Sequence, residues 1–199
     1  MSKQQLKYDR LWVEPFFKKK KFNSIIASRR LGKTRFITKR AISSEKNVII
    51  IVPSDFSRKY ILNEIHEELK KSGIKIDQKH QSDNLIILDD KTIHIGQVNS
   101  LRANSARGLS FNDADVLFEE PGFYSADFGR IVKELCLEDK IASITSVSTH
   151  KIDEFTDVTG FHYFAKSHGY AKELSFVRAV ENGIISLDEA EKFQDSDTI

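Results

Sequence analysis

Ser24-Ile25-Ile26-Ala27-Ser28-Arg29-Arg30-Leu31-Gly32-Lys33-Thr34 is the stretch on which the fold turns. Its first four residues read as a short strand, and a helical pattern runs from Lys33 to about Ile42. A loop that leaves a strand and opens a helix aims consecutive backbone N–H groups, and the positive end of the helix dipole, at one point. That arrangement suits phosphate oxygens. Gly32 lets the backbone approach them, Lys33 brings a cation to the outer phosphates, and the Thr34 hydroxyl is a magnesium ligand. Ser28, Arg29, Arg30 and Leu31 complete the cradle, and the expected ligands are ATP and Mg2+. Ala27 stands where such loops often begin with glycine. Arg29 or Arg30 either reaches back to the γ-phosphate as an internal finger or faces solvent. For this stretch taken alone, a chance Gly-Lys-Thr at a helix start is the competing explanation.

Outward from the loop, β-branched runs alternate with amphipathic helical patterns, the signature of an α/β fold with a mainly parallel sheet and crossover helices. Val48-Ile49-Ile50-Ile51-Val52 is apolar throughout, as a strand buried on both faces should be, and Pro53 ends it. Ile61, Ile65 and Leu69, with Leu62 beside them, form one helical stripe between Asp55 and Ser72, closed by Gly73. Leu85–Leu88 and Thr92–Ile95 flank Asp89-Asp90-Lys91, a hairpin turn. Asp115-Val116-Leu117-Phe118-Glu119-Glu120 describes a strand with two acids at its carboxyl end, the edge where α/β folds hold ligands. Glu119 is the candidate magnesium ligand and Glu120 the candidate base for an attacking water. Ser125 is placed to cap a helix whose Phe128, Ile131, Val132 and Leu135 share a face. Ile141 to Val147 supplies another strand, and Ser146-Val147-Ser148-Thr149-His150 at its end puts small hydroxyl residues where a γ-phosphate could be sensed.

Thirty-one Lys and Arg against twenty-nine Asp and Glu leave a net charge of only +2, so any contact with nucleic acid must be local. Lys18 to Lys21, bracketed by Phe16, Phe17 and Phe22, is the candidate, with a solvated basic turn as the equal alternative. No apolar run is long enough for a membrane span, and the first residues lack the apolar core of a secretion signal. Cys136 has no partner for an internal disulfide and, with apolar neighbours, reads as a small buried side chain. The expected organisation is an N-terminal segment over 1–22, a core over 23–155 and a peripheral segment over 156–199. Gln194 to Thr198 reads as a frayed end.

The motifs taken together resemble the ATPase domain of phage terminase large subunits. That family's Ser-Arg-x-x-Gly-Lys-Thr loop is matched by Ser28 to Thr34. Its serine-rich stretch and Arg-Gly-x-Ser-Phe segment are matched by Ser100, Ser105 and Arg107-Gly108-Leu109-Ser110-Phe111, and its acidic pair with a following aromatic by Glu119-Glu120-Pro121-Gly122-Phe123. Its coupling motif is approximated by Ser146 to His150. The sequence departs from the pattern in having Glu119 rather than Asp, His150 rather than Pro, and no clear glutamine to read adenine; Tyr8, Trp12 or Phe16 is the substitute for that contact. The resemblance implies a P-loop NTPase fold of the RecA/ASCE-like kind. It implies an ATP-driven motor that moves double-stranded DNA into a capsid, in the cytoplasm of the infected host and docked on the procapsid. The implied partners are a portal protein, a terminase small subunit and further copies of the chain in a ring, commonly a pentamer. Arg107 becomes a candidate arginine finger; pairing with Asp113 or Asp115 is its alternative. The chain beyond residue 150 is expected to be too short for the family's nuclease half. Two rival readings are one RecA-like half of a helicase-type ATPase and a non-motor switch in which ATP binding controls assembly.

Overall fold

The computed structural model describes residues 12–18, 20–74, 84–98, 112–138, 141–149, 156–181, 183 and 185–194. A short helix α1 over 12–17 precedes strand β1 (Phe22–Ala27), helix α2 (Lys33–Ser43), β2 (Val48–Val52) and α3 (Asp55–Lys71). Strands β3 (Leu85–Ile87), β4 (Thr92–Gln97) and β5 (Asp115–Glu119) follow. A 3-10 turn (Pro121–Tyr124) leads into α4 (Ser125–Glu138), then β6 (Ser143–Ser148), α5 (Asp157–His168), β7 (Tyr170–Leu174), α6 (Phe176–Glu181) and α7 (Leu187–Gln194).

The strands form one seven-stranded sheet in the order β3-β4-β2-β5-β6-β1-β7. All neighbours are parallel except the β3–β4 hairpin, which turns at Asp89-Asp90-Lys91 as the sequence predicts. Every residue of β2 is buried, and its alternating side chains feed two cores. Val48, Ile50 and Val52 join Ile25, Phe36, Ile61, Ile65 and Leu69 beneath α1, α2 and α3. Ile49 and Ile51 join Val116, Phe118, Phe128, Ile131 and Phe161 beneath α4 and α5. Phe118, Phe128 and Phe161 meet edge to face at centroid distances of 4.9 and 5.4 Å. Both sheet faces are therefore covered, as a parallel sheet requires. No helix among the described residues is long and apolar enough to cross a membrane.

Four local expectations come out differently. Ser125 does not cap its own helix, because the 3-10 turn runs straight into α4; its hydroxyl instead accepts from the backbone N–H of Asp157 at the start of α5. Cys136 is exposed: the buried stripe of α4 is Phe128, Ile131 and Leu135, and one further residue rotates roughly 100° off it. Lys91, read as a turn residue, is buried, and its ammonium donates to the carbonyls of Ala41, Ile42 and Ser44 at the end of α2. Those are carbonyls that the helix itself leaves without donors. Residues 156–174, read as peripheral, supply α5 and the seventh strand, β7, which pairs with β1. Gln194 ends α7, and 195–199 lie outside the described residues.

Gly169, between α5 and β7, has no room for a side chain, since a Cβ there would stand 2.0 Å from the carbonyl oxygen of Phe22. Gly160, on the exposed face of α5, meets nothing within 4 Å. Gly169→Ala must therefore push β7 off β1 and should cost about 1–3 kcal/mol, lowering Tm by several degrees. Gly160→Ala should raise Tm slightly, because alanine is the better helix former by roughly 1 kcal/mol. Thermal melts followed by circular dichroism check both signs, and equal effects of the two substitutions would contradict this packing.

Candidate functional site

The phosphate loop is pinned at both ends. Ser28 N–H donates to the carbonyl of Leu174 at the end of β7 (2.9 Å), and Phe36 N–H donates to the carbonyl of Gly32 (3.0 Å). Leu31 is fully buried, and its carbonyl accepts from the indole N–H of Trp12 at 2.5 Å. Gly32 adopts φ +86° and ψ +26°, a left-handed conformation that glycine enters without penalty, and Arg30 is left-handed as well (φ +59°). With no side chain capping α2, the N–H groups of its first turn are directed at the loop. Lys33 is buried beneath it: the ammonium donates to the carbonyls of Ala27 (3.3 Å) and Ser28 (3.1 Å) and pairs with Glu120 Oε1 at 3.3 Å.

The acidic pair lies one strand away. β6 runs between β1 and β5, and the register sets Glu119 beside Val147 and Ile26 beside Ser148, so all three strands end on one line. Glu119 is the last residue of β5 and buried; its Oε1 accepts from Thr34 Oγ1 at 3.3 Å. Its Oε2 is buried with no hydrogen-bond partner. Burial and the neighbouring Glu120 push the Glu119 carboxyl up, while hydrogen bonds from Thr34 and Ser57 and the charge of Lys33 pull it down. A buried acid with one oxygen unmatched, beside a threonine hydroxyl, has the hard-oxygen donors that magnesium takes, and these two residues fit such a cation.

Glu120 turns out of the strand in a left-handed conformation (φ +46°, ψ +51°), a strained state for a residue with a side chain and one that concentrates at functional sites. Its N–H donates to the carbonyl of Val147 at 2.8 Å. Its carboxylate is gripped from β6: Thr149 N–H donates to Oε2 and Thr149 Oγ1 to Oε1, both at 2.7 Å. Thr149, singled out in the sequence as a sensor, thus touches the candidate base directly. Tyr124 holds the other side, its buried hydroxyl 2.9 Å from the carbonyl oxygen of Glu119 and 3.1 Å from that of Ile51.

Of the residues picked from the sequence, the structure brings Lys33, Thr34, Glu119, Glu120 and Thr149 together, with Ser28, Leu31 and Gly32 framing them. Arg29 and Arg30 are exposed on the loop. Arg107 lies outside the described residues, as do Ser100, Ser105, Gly108, Leu109, Ser110, Phe111, His150 and Tyr8. Of the carboxylates offered as its alternative partners, Asp113 pairs with Lys46, and Asp115 accepts from Ser44 and Ser143. Trp12 is buried and stacked on Phe36, Phe16 meets Phe36 edge-on, and both also line a cavity next to Gly32. That cavity, of about 180 Å3, is lined as well by Val13, Phe17, Arg35, Phe36 and Lys39. Sequence reasoning misses Tyr124, which stands in no motif; its one signal is its place just after the acidic pair.

No family model and no curated protein matches the chain. Among solved structures it is similar to the large terminase of a thermophilic bacteriophage, with a TM-score of 0.65 and 16% identity, covering 97% of this chain and 49% of that one. A structure of the same terminase in complex with ADP gives a TM-score of 0.55 at 16% identity, covering 98% and 50%. The chain thus spans about half the length of the terminase it matches, and at this identity the likeness is one of fold. Its seven-stranded, mostly parallel sheet flanked by helices is the fold of half of a phage large terminase, the family that the phosphate loop and the acidic pair resemble.

Proposed function

We propose that this chain is the ATP-hydrolysing motor domain of a terminase large subunit, driving double-stranded DNA into a viral capsid. The observation that carries the reading is the convergence of Lys33, Thr34, Glu119 and Glu120 on one sheet edge, with Thr149 clamping Glu120. Similarity to a terminase that has been solved with ADP supports nucleotide binding.

In this reading the triphosphate lies over residues 28 to 34. Its oxygens replace the carbonyls of Ala27 and Ser28 as partners of Lys33, whose ammonium is buried beneath the loop. Thr34 and Glu119 hold Mg2+, which supplies charge neutralisation for the leaving phosphates. Glu120 takes the proton of the attacking water, and Thr149 fixes the direction of its carboxylate. The cavity between α1 and α2, next to Gly32, is the place for the base, among Trp12, Val13, Phe16 and Phe17. Loss of the γ-phosphate is felt at Glu120 and passed through Thr149 to β6. Around this engine the proposal sets the resemblance's partners: DNA, the portal, a terminase small subunit and a ring of like chains on the procapsid of an infected cell. Arg107 is the candidate finger between subunits.

Lys33→Ala should abolish hydrolysis and weaken nucleotide binding, because the backbone cradle cannot replace the buried ammonium. Glu120→Gln should keep nucleotide binding and lose turnover by about 10²–10⁴, since an amide preserves shape but accepts no proton. Phosphate release and the affinity for a fluorescent ATP analogue, measured on the same preparations, separate the two. A Lys33→Ala variant with wild-type turnover would remove the phosphate-loop assignment. If Glu119→Gln stops turnover with nucleotide still bound and Glu120→Gln does not, the two acids exchange roles. Stimulation of hydrolysis by duplex DNA separates the motor from an ATP-dependent switch.

A further inference from the structure

One side chain from outside the phosphate loop grips its backbone. Trp12, at the start of α1, donates its indole N–H to the carbonyl of Leu31 at 2.5 Å, a buried contact. That carbonyl and the N–H of Gly32 belong to one peptide unit, and no peptide among the described residues is cis. In a planar trans unit the C=O and the N–H point in opposite directions. A donor that holds the Leu31 oxygen on the α1 side therefore turns the Gly32 N–H to the far side. Gly32 is the N-cap of α2, where no side-chain cap competes for the N–H groups that meet an anion. Its φ of +86° is one that glycine alone enters freely, and glycine also tolerates the opposite sign, so this is the loop peptide that flips most easily. Trp12 is itself fixed. It is buried and stacked on Phe36 of α2, with ring centroids 4.7 Å apart. Further along α1, Arg40 of α2 donates through Nη1 to the carbonyl of Phe16 at 2.6 Å, and Glu14 pairs with Lys172 of β7 at 2.6 Å.

We propose that Trp12 is a positioning residue for the phosphate loop, its indole N–H locking the Leu31–Gly32 peptide so that the Gly32 N–H faces the phosphates. The inference rests on the nucleotide reading above and adds a residue from outside both motifs. It gives the indole a task separate from lining the cavity beside Gly32. A donor oriented before the anion arrives binds more tightly than one that must be ordered on binding. Without the lock, the flipped peptide becomes accessible, and it presents an oxygen to the phosphates in place of an N–H. Trp12 acts on the phosphates only through this peptide, so it is not a catalytic residue.

The test measures binding of ADP, and of inorganic pyrophosphate, which has no base, to the whole chain by calorimetry with Mg2+. Each variant is titrated below its own melting transition, so that only folded chains are compared. The chain has a single tryptophan, so growth on β-(3-benzothienyl)alanine replaces Trp12 alone with an isostere that carries sulfur in place of the N–H. Trp12→Phe, which keeps an aromatic ring against Phe36, is the second variant. Both should weaken pyrophosphate binding by about 3–10-fold, as loss of one hydrogen bond does, and ADP binding at least as much. Wild-type pyrophosphate affinity in the isostere overturns the proposal and leaves the nucleotide reading standing; a loss confined to ADP would make Trp12 a wall of the base cavity. Weaker pyrophosphate binding in Trp12→Phe but not in the isostere also overturns it, because bulk and not the N–H would then be responsible. So does a native chain that binds ADP but no pyrophosphate, since its loop would not be preset for phosphates. A native chain that binds neither ligand removes the nucleotide reading itself, and this proposal with it.

Discussion

The ion pair between Lys33 and Glu120 is the contact on which the arrangement of the edge depends. One partner opens α2 and the other begins the turn after β5, and β6 lies between their strands. Lys33 is 8% exposed, so removing the Glu120 charge would leave a buried ammonium with only carbonyl partners. Around it the donors and acceptors converge: two loop carbonyls on the ammonium, two Thr149 donors on the carboxylate. These groups come from the ends of three strands, β1, β5 and β6, so the sheet register determines whether they meet. The two cores, one on each face, fix that register by burying β2, β5 and β6 completely or nearly so.

The elements legible in the sequence are those whose signal is local. Five consecutive buried residues in β2, the stripe of Ile61, Ile65 and Leu69, the Gly-Lys-Thr at a helix start and the Glu-Glu at a strand end each declare themselves within a few residues. The features that do not declare themselves are non-local or faint. β7 reads Tyr-Ala-Lys-Glu-Leu, and as an edge strand it is only partly buried, so it lacks the apolar run that marks a central strand. Lys91 looks like any charged turn residue until α2 is seen to end above it. Tyr124 is one aromatic among many near a helix start, and only the meeting of β2's end with β5's end gives its hydroxyl the carbonyls of Ile51 and Glu119. Residues such as these acquire a role from the tertiary fold and carry no pattern of their own.

The two acids differ in surroundings, and that difference separates their tasks. Glu119 is buried, crowded by Glu120 and relieved by two hydroxyl groups, an environment that a divalent cation would stabilise most. Glu120 is aimed by a left-handed backbone and by Thr149, whose backbone N–H and hydroxyl each take one carboxylate oxygen. Side by side in sequence, they are brought to one edge by the break in strand geometry between them. Had β5 continued for one more residue, simple alternation would have sent the second side chain to the opposite face of the sheet. The positive φ at Glu120 prevents this and brings its carboxylate to Lys33.

The use of glutamate at 119, where the related pattern has aspartate, has a geometric basis in this fold. β6 separates β5 from β1, and the acid must reach across the end of an intervening strand to the helix that follows β1. The Glu119–Thr34 contact is already long at 3.3 Å. Aspartate, shorter by one methylene, would reach Thr34 only if α2 moved toward β5, and α2 is held by Phe36 in the core and by Lys91 at its far end. The longer side chain has an additional torsion, and therefore more ways to point wrongly. Burial of Glu119, 7% exposed, limits that freedom. The extra methylene and the burial of the carboxyl are thus two parts of one solution: reach from the first, direction from the second.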